Sequence, residues 1–276
     1  MAWHAPLQID YGLQSGRTVA RYLHNGPLRI LRSLYPEGDA VCHNVLVHPP
    51  GGLVGGDTLD IQLSVASGAH ALVTTPGATR FYKSLGDPAL QHTRIRLESG
   101  ARLEWLPLET ICYAGCLAEN RLRLDLAPGA ELMGWDLTAL GLPNANQPFD
   151  RGSFCQHIEM PGAWLERGRI DACDGRLLNS PLGLAGNRCL ASIFFCSGSA
   201  LERKRAQLAL ECARDVVQGN ALCNTAGSTS PNQQVVVVRV LSPLVEPAMD
   251  LLRQVWAAWR QALWQVKPQA PRIWAT

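Results

Sequence analysis

A unit made of a strand, a tight Gly-Ala turn and a second strand recurs four times along the chain. The turn glycines are Gly68, Gly100, Gly129 and Gly162, spaced 32, 29 and 33 residues apart. Ser or Pro precedes each of them, as in type I or type II turns, where glycine supplies the positive φ. A repeat of this length indicates units that stack on one another, because no single unit can bury its apolar face alone.

The strands beside these turns alternate between apolar and polar residues, which is the pattern of a strand buried on one face. The apolar positions include Leu59, Ile61, Leu63, Val65, Ile95, Leu97, Leu122, Leu124 and Leu126. The sequence therefore predicts a fold dominated by β-structure, a β-helix-like stack of sheets over residues 1–198. The alternative is that four Gly-Ala pairs arise by chance in a chain rich in both residues.

The apolar period changes after residue 198. Ser199 is suited to cap a helix that closes at Gly219, and a second helix opens near Pro247. The apolar run 235–240 between them has the composition of a buried strand. We therefore expect a helix–strand–helix part over 199–276, joined to the stack in a single domain, 1–276.

Three tryptophans lie in the second of these helices. Trp256 and Trp259 follow its apolar stripe and are expected in the core. Trp264 falls on another face, where an exposed aromatic side chain is typical of a partner surface.

Charge and cysteine content exclude several classes of protein. The net charge is +2, only 17% of residues are charged and no Lys/Arg stripe is interleaved with aromatics, so nucleic-acid binding is not expected. No apolar run reaches the ~18 residues of a membrane helix and the N-terminus lacks an export signal, so we expect a soluble cytoplasmic protein. The nine cysteines include no Cys-x-x-Cys pair, which favours reduced thiols over disulfides or a zinc site.

The glycine-rich segment 48–58, HPPGGLVGGDT, matches part of the phosphate-binding loop pattern. Asp57 stands where that loop carries lysine, and a strand pattern follows instead of a helix, so nucleotide binding is disfavoured. Asp57 is then either a turn cap or a group held toward a ligand, cation or partner. The segment is interpreted as a rigid structural loop, whose glycines permit unusual φ angles or the close approach of another backbone. The residues of this loop are His48, Pro49, Pro50, Gly51, Gly52, Gly55 and Gly56.

Carboxylates recur within the repeated units. Counting four residues from each turn glycine gives Leu72, Glu104, Met133 and Glu166, so Glu104 and Glu166 are predicted at equivalent positions of the stack. Glu109 follows five residues after Glu104 in an apolar context. Such acids must be paired, hydrogen-bonded, protonated or metal-bound if they are buried, and acceptance of backbone N–H bonds is the structural alternative. A two-carboxylate hydrolase using Glu104 and Glu109 is the rival hypothesis for function.

Seven short segments are spread over nearly the whole chain. In order, they are YPEG (35–38), CH (42–43), HPPGGLVGGD (48–57), TTPGATRFYKS (74–84), LEWLPLETI (103–111), SPLGLAGN (180–187) and PRIWAT (271–276). Together they resemble the family of urease accessory proteins called UreD or UreH. The combination of HPPGGLVGGD with LEWLPLETI is far more specific than either glycine loop alone. The fold that this resemblance implies, a β-helix-like stack with a pair of C-terminal helices, agrees with the repeat analysis.

The resemblance implies a maturation factor that is not itself an enzyme. It is expected to bind UreF, and through UreF the protein UreG, in a complex that docks on apo-urease. GTP hydrolysis by UreG would drive nickel insertion, with UreE as an indirect nickel donor.

The resemblance also implies an internal path for Ni²⁺ and no tightly bound cofactor. Isolated carboxylates and water hold Ni²⁺ transiently, whereas a cage of Cys and His would release it slowly. The acids expected to guide nickel are Asp57, Glu104, Glu109 and Glu166. The residues expected on the UreF-facing side are Trp264, Arg272, Ile273 and Trp274.

Overall fold

The computed structural model describes residues 2–275, which form two β-sheets packed face to face with helices on the outer side of one sheet. Within these residues, sheet 1 has seven strands and sheet 2 has eleven. Apolar side chains fill two layers, one between the sheets and one between sheet 2 and the helices. The described chain contains no helix that is long and apolar enough to cross a membrane.

The strands in chain order are β1 (His4–Gln14), β2 (Arg17–His24), β3 (Arg29–Leu34), β4 (Val41–Val47), β5 (Thr58–Val65), β6 (His70–Thr74), β7 (Thr79–Phe81), β8 (Ala89–Leu97), β9 (Arg102–Leu106), β10 (Thr110–Cys112), β11 (Cys116–Leu126), β12 (Glu131–Leu142), β13 (Gln147–Pro148), β14 (Gly152–Met160), β15 (Trp164–Asp171), β16 (Cys189–Ser197), β17 (Ala226–Asn232) and β18 (Val235–Ser242). The helices are α1 (Gly175–Asn179), α2 (Arg203–Gln218) and α3 (Val245–Trp264), with 3-10 turns at Pro143–Ala145 and Arg272–Ala275. Sheet 1 has the order β15-β14-β11-β8-β5-β1-β2, and the main path of sheet 2 is β17-β18-β16-β12-β9-β6-β4-β3.

Three of the four Gly-Ala turns are corners at which the chain passes from sheet 1 to sheet 2. They join β5 to β6, β8 to β9 and β11 to β12, and the strands on both sides pair in parallel with the next unit. Gly68, Gly100 and Gly129 have φ angles of +73°, +72° and +79°. An alanine N–H closes each turn on the residue three positions earlier, as from Ala69 to the Ala66 carbonyl at 3.1 Å. The predicted stack of repeated β-units is therefore confirmed.

The fourth turn differs, and the equivalence of Glu104 with Glu166 is wrong. Gly162 has a positive φ of +76° like the others, but it joins β14 and β15 as an antiparallel hairpin inside sheet 1. Glu104 instead lies in register with Leu72 and Met133 in sheet 2. The chain does not change sheets after Gly162, so Glu166 belongs to the other layer.

Helices α2 and α3 cover the outer face of sheet 2. The predicted strand at 235–240 is the first part of β18, and α2 closes at Gly219 as expected. Ser199 is not the cap of α2, which begins at Arg203, because the Ser199 hydroxyl oxygen accepts a bond from the Gly129 N–H at 3.0 Å. Helix α3 starts two residues before Pro247, at Val245.

Candidate functional site

A row of polar side chains crosses the apolar layer between the two sheets. Gln91 of β8, Asn120 of β11 and Gln156 of β14 occupy the same register position on adjacent parallel strands of sheet 1. The Gln91 amide donates to the Asn120 oxygen at 3.4 Å, and the Asn120 amide donates to Asp136 at 2.8 Å. Asp136 lies on β12 of sheet 2 and also accepts bonds from Gln156 and Thr138. The row thus links both sheets through one carboxylate.

Asp136 has the most unusual electrostatics of this row. Its pKa is raised to about 6, chiefly because the carboxylate is desolvated by burial, and the nearby charge of Glu166 adds to the increase. Hydrogen bonds from Thr138, Gln156 and Asn120 act in the opposite sense because they favour the charged form. The carboxylate therefore exchanges its proton near neutral pH, and no cation of the described chain forms an ion pair with it.

Each end of the row opens into a cavity. The first, of about 190 Å³, is lined by Gln91 together with His48, Thr75, Arg80 and Trp105. The second, of about 230 Å³, is lined by Asp136, Gln156, Glu166, Ser192 and Arg239. Because Gln91 lines one cavity and Asp136 the other, the hydrogen-bonded row joins two openings through the interior of the stack.

The glycine-rich loop forms one wall of the first cavity, and Asp57 caps its turn. One Asp57 oxygen accepts the Trp3 N–H at 2.8 Å, and the other accepts the Val54 N–H at 2.9 Å. A Cβ atom added at Gly52 would lie 2.9 Å from the Arg80 carbonyl oxygen, so glycine is required by the close approach of another backbone. In the structure Asp57 thus caps the turn, which is one of the two alternatives for this residue, and Gly52 lies at a close approach of two backbones.

His48 belongs to the same loop, and its side chain lines the first cavity. Burial lowers the pKa of His48, and the negative charge of Asp57 opposes part of that decrease. The imidazole is therefore mostly neutral at pH 7, which leaves a ring nitrogen free to accept a proton or a metal ion.

Glu104 lies outside this row, under helix α3 on the outer face of sheet 2. Its carboxylate is fully buried and accepts bonds from His70 at 2.8 Å, Trp256 at 2.6 Å and Arg260 at 3.2 Å. The Arg260 guanidinium also donates two hydrogen bonds to the Glu37 carboxylate, at 2.7 and 2.9 Å. Both oxygens of Glu104 are thus occupied, and the cluster joins β9 to α3.

The charge state of Glu104 follows from these partners. Burial acts to raise the pKa of Glu104, but the hydrogen bond and charge of His70, the charge of Arg260 and the bond from Trp256 outweigh it, so the pKa is lowered. The carboxylate therefore stays ionised as part of a buried, hydrogen-bonded ion cluster.

The remaining sequence-derived acids lie apart from each other. Glu166 forms an ion pair of 2.6 Å with Arg239 at the second cavity. Glu109 lines a third cavity of about 270 Å³ beside Cys189 and Glu246. Glu104 is buried and paired, so it does not form with Glu109 the solvent-open pair that the hydrolase hypothesis requires. Within residues 2–275, no three or more His, Cys, Asp or Glu side chains are arranged to hold a metal ion.

The C-terminal aromatic residues are docked inside the chain. Trp264 is buried, contrary to the expected exposed face, because its indole N–H donates to Glu131 at 2.6 Å beneath the end of α3. Trp274 packs against Trp135 and Trp256, with ring centroids 5.3 and 5.5 Å apart. Arg272 is exposed and Ile273 is half-buried, whereas Thr276 of the PRIWAT segment lies outside the described residues.

Sequence reasoning overlooked the polar row, although the signal was present. The alternation of β11 places Asn120 on the same face as Leu122 and Leu124, and that of β14 places Gln156 with Phe154 and Ile158. The same alternation therefore predicts that the amides of Asn120 and Gln156 point inward with these apolar residues. Asp136 was hidden because its strand is almost continuously buried on both faces.

Comparison with known proteins gives matches over essentially the whole chain. The family model for the UreD urease accessory protein matches residues 4–275. The proteins named urease accessory protein UreD from Albidiferax ferrireducens and Polaromonas naphthalenivorans are each 68% identical over 275 residues, and that of Variovorax paradoxus is 65% identical over 276. In all three cases the match covers 100% of both chains.

Proposed function

The chain belongs to the UreD family of urease accessory proteins, and from that premise we propose that it is the scaffold that guides nickel into apo-urease. Family membership places it in urease maturation as an accessory protein. In the proposed complex it binds UreF, and UreF in turn carries UreG, whose GTP hydrolysis drives nickel insertion. UreE supplies nickel indirectly, and the assembly works in the cytoplasm.

The observation that carries the proposal is the polar row between two cavities. A metal ion in transit needs oxygen ligands that bind it weakly and release it, and the row offers amide oxygens and one carboxylate. Asp136 has a pKa of about 6 and no cationic partner among residues 2–275, so its negative charge is available to a divalent ion. Nickel is the cargo in this scheme, held at no point by a closed ligand set.

The four acids chosen from the sequence have different places in this proposal. Glu166 lines the second cavity and remains a candidate for guiding nickel at that end. Asp57 is not among the residues that line the first cavity, and both of its oxygens accept backbone N–H groups, so its proposed role there is limited to its charge beside His48. Glu104 would have to abandon His70 or Arg260 to bind a cation, so its proposed role is to hold α3 on the stack. Glu109 faces a separate cavity and is a weaker candidate.

The proposal is tested by removing the charge of Asp136. Asp136→Asn keeps the size of the side chain, and we expect the nickel content of urease co-expressed with all accessory proteins to fall severalfold. Asp215→Asn on the exposed side of α2 is the matched control and should leave nickel unchanged. Full nickel loading with Asp136→Asn, in a complex that still co-purifies with apo-urease, would contradict the proposal.

A further inference from the structure

The outer face of sheet 1 carries charged side chains, and no helix of residues 2–275 packs on it. Helices α2 and α3 both pack on sheet 2, where buried apolar residues meet them. In β8 and β11, by contrast, every second residue points away from the core, and those residues are largely charged. A bare face is unusual for parallel strands, which are normally covered on both sides.

Basic residues occupy neighbouring positions across this face. One row, each member opposite the next in the strand register, consists of His92, Arg121, His157 and Arg167. Two residues further along, Arg94 of β8 lies opposite Arg123 of β11. Since adjacent strands are only about 4.8 Å apart, the charges of Arg94 and Arg123 stand side by side, which disfavours the isolated fold.

Ion pairs within the chain neutralise only part of this charge. Arg123 contacts Asp125 at 3.1 Å and Glu159 at 3.7 Å. Arg94, Arg96 and Arg167 form no ion pair with any residue of the described chain. Three guanidinium groups are therefore free to bind carboxylates from outside.

His92 lies between charges of both signs on this face. Burial is the main cause that lowers the pKa of His92, and the neighbouring Arg121 and Arg94 charges add to it, whereas Glu119 and Asp60 oppose it. Its Nε2 atom is buried and has no hydrogen-bond partner among the described residues. Burial therefore keeps this imidazole largely neutral, and the charge of the face is carried by its arginines.

The face also borders the second cavity of the polar row. Glu166 of β15 points inward and lines that cavity, whereas its neighbours Leu165 and Arg167 are exposed on the outer side. Leu165 is 59% exposed and gives the face an apolar contact point. A partner seated here lies directly beside the cavity.

We propose that the outer face of sheet 1 docks on a carboxylate-rich surface of apo-urease. This inference rests on the proposed function, in which apo-urease is the partner that receives nickel. The seven strands are separated by six intervals of about 4.8 Å and are about 26 Å long, so the face has an area of roughly 750 Å². This area is close to the ~800 Å² that each partner contributes to a standard interface.

The chemistry of the face selects a protein partner. Arginine binds carboxylates through two parallel hydrogen bonds and is enriched at the energetic centres of interfaces. Nucleic acid fits less well, because its continuous phosphate charge would meet the carboxylates interleaved with the arginines. Those carboxylates are Asp10, Asp60, Glu119, Asp125, Glu159 and Asp171.

The test reverses the charge of the unpaired arginines. The face variant carries Arg94→Glu, Arg96→Glu and Arg167→Glu. The matched control carries Arg203→Glu, Lys204→Glu and Arg214→Glu, three exposed cations of α2 on the opposite layer, so both variants change net charge equally. Each full-length chain is co-expressed with the other accessory proteins, and binding of the purified complex to apo-urease is measured between about 0.05 and about 0.3 M NaCl.

We expect the wild-type complex to bind apo-urease less tightly as salt rises. The face variant should bind about tenfold more weakly or worse at low salt and lose most of its salt dependence, while the control stays within about twofold of wild type. Unchanged melting temperature and retained UreF binding establish that the face variant is folded.

Three results would overturn the inference. Equal apo-urease binding by the face variant and wild type would refute this docking surface while leaving the proposed function intact. Loss of UreF binding with apo-urease binding retained would assign the face to a different partner. A wild-type complex that bound no apo-urease would refute the proposed function itself, and the docking surface with it.

Discussion

The pKa values of two buried carboxylates, Glu104 and Asp136, are shifted in opposite directions by their surroundings. Glu104 is enclosed by a histidine, an arginine and a tryptophan, which lower its pKa and keep it charged. Asp136 is enclosed by two amides and a hydroxyl, which cannot offset its desolvation, so its pKa is raised to about 6. The first arrangement suits a permanent structural contact, and the second suits a group that exchanges partners.

The raised pKa of Asp136 predicts how its removal changes the pH dependence of stability. The ordinary pKa of this carboxyl is 3.8 and the folded value is about 6, so the folded state binds more protons between these values. Stability is therefore lost as pH rises through this window, by about 3 kcal/mol at most. Urea unfolding should show Asp136→Asn gaining stability relative to wild type between pH 4 and pH 7.5. A constant difference across that range would contradict the assignment.

At the scale of residues, the sequence predicts contacts between near neighbours in the chain better than contacts between distant strands. For Asp57 the sequence offered two alternatives, a turn cap and a group facing a ligand, and the local Val54 N–H is the partner that a turn pattern can predict. Asp136 could not be predicted, because its importance depends on Asn120 and Gln156, which are close only after three strands have paired. Trp264 was misplaced for the same reason, since Glu131 lies 133 positions away in sequence.

At the scale of elements, the four Gly-Ala turns show that the local sequence determines where the chain bends but not which sheet the next strand joins. All four glycines have the positive φ that the turn pattern predicts. Three turns lead into sheet 2 and one leads back into sheet 1, and that outcome depends on which strand edge is available for pairing. The repeat was therefore predictable, whereas the place where it stops was not.

Helix α3 depends on the Glu104 cluster for its position on sheet 2. Glu104→Ala would leave the buried Arg260 guanidinium with one carboxylate fewer and the Trp256 N–H without an acceptor. We expect a loss of about 3–5 kcal/mol in the free energy of unfolding, measured by urea titration of tryptophan fluorescence. Glu104→Gln should lose less, because its oxygen still accepts a bond. Glu202→Ala on the exposed start of α2 is the control, and a Glu104→Ala loss as small as that of the control would refute the anchoring role.

As a whole molecule, the chain has two sheets with outer faces of opposite character. Sheet 2 is apolar outside and is covered by α2 and α3, so we propose that residues 1–198 and 199–276 form one domain that folds as a unit. Sheet 1 is charged outside and uncovered in the described chain, and the polar row runs between the sheets. Only 17% of the residues are charged, yet many of them lie together on one face, which the composition alone does not reveal.

The central claim is that nickel passes along the polar row, and blocking that row tests it most directly. Asn120→Leu keeps the number and branching of the side-chain heavy atoms but replaces the amide that joins Gln91 to Asp136 with an apolar group. Asn120→Ser keeps a small polar side chain at the same place and serves as the control. The measurement is nickel per urease active site, by mass spectrometry of metal content, after co-expression with all accessory proteins. We predict a severalfold loss of nickel with Asn120→Leu, near-normal nickel with Asn120→Ser and an intact complex in both cases; full nickel loading with Asn120→Leu would contradict the account.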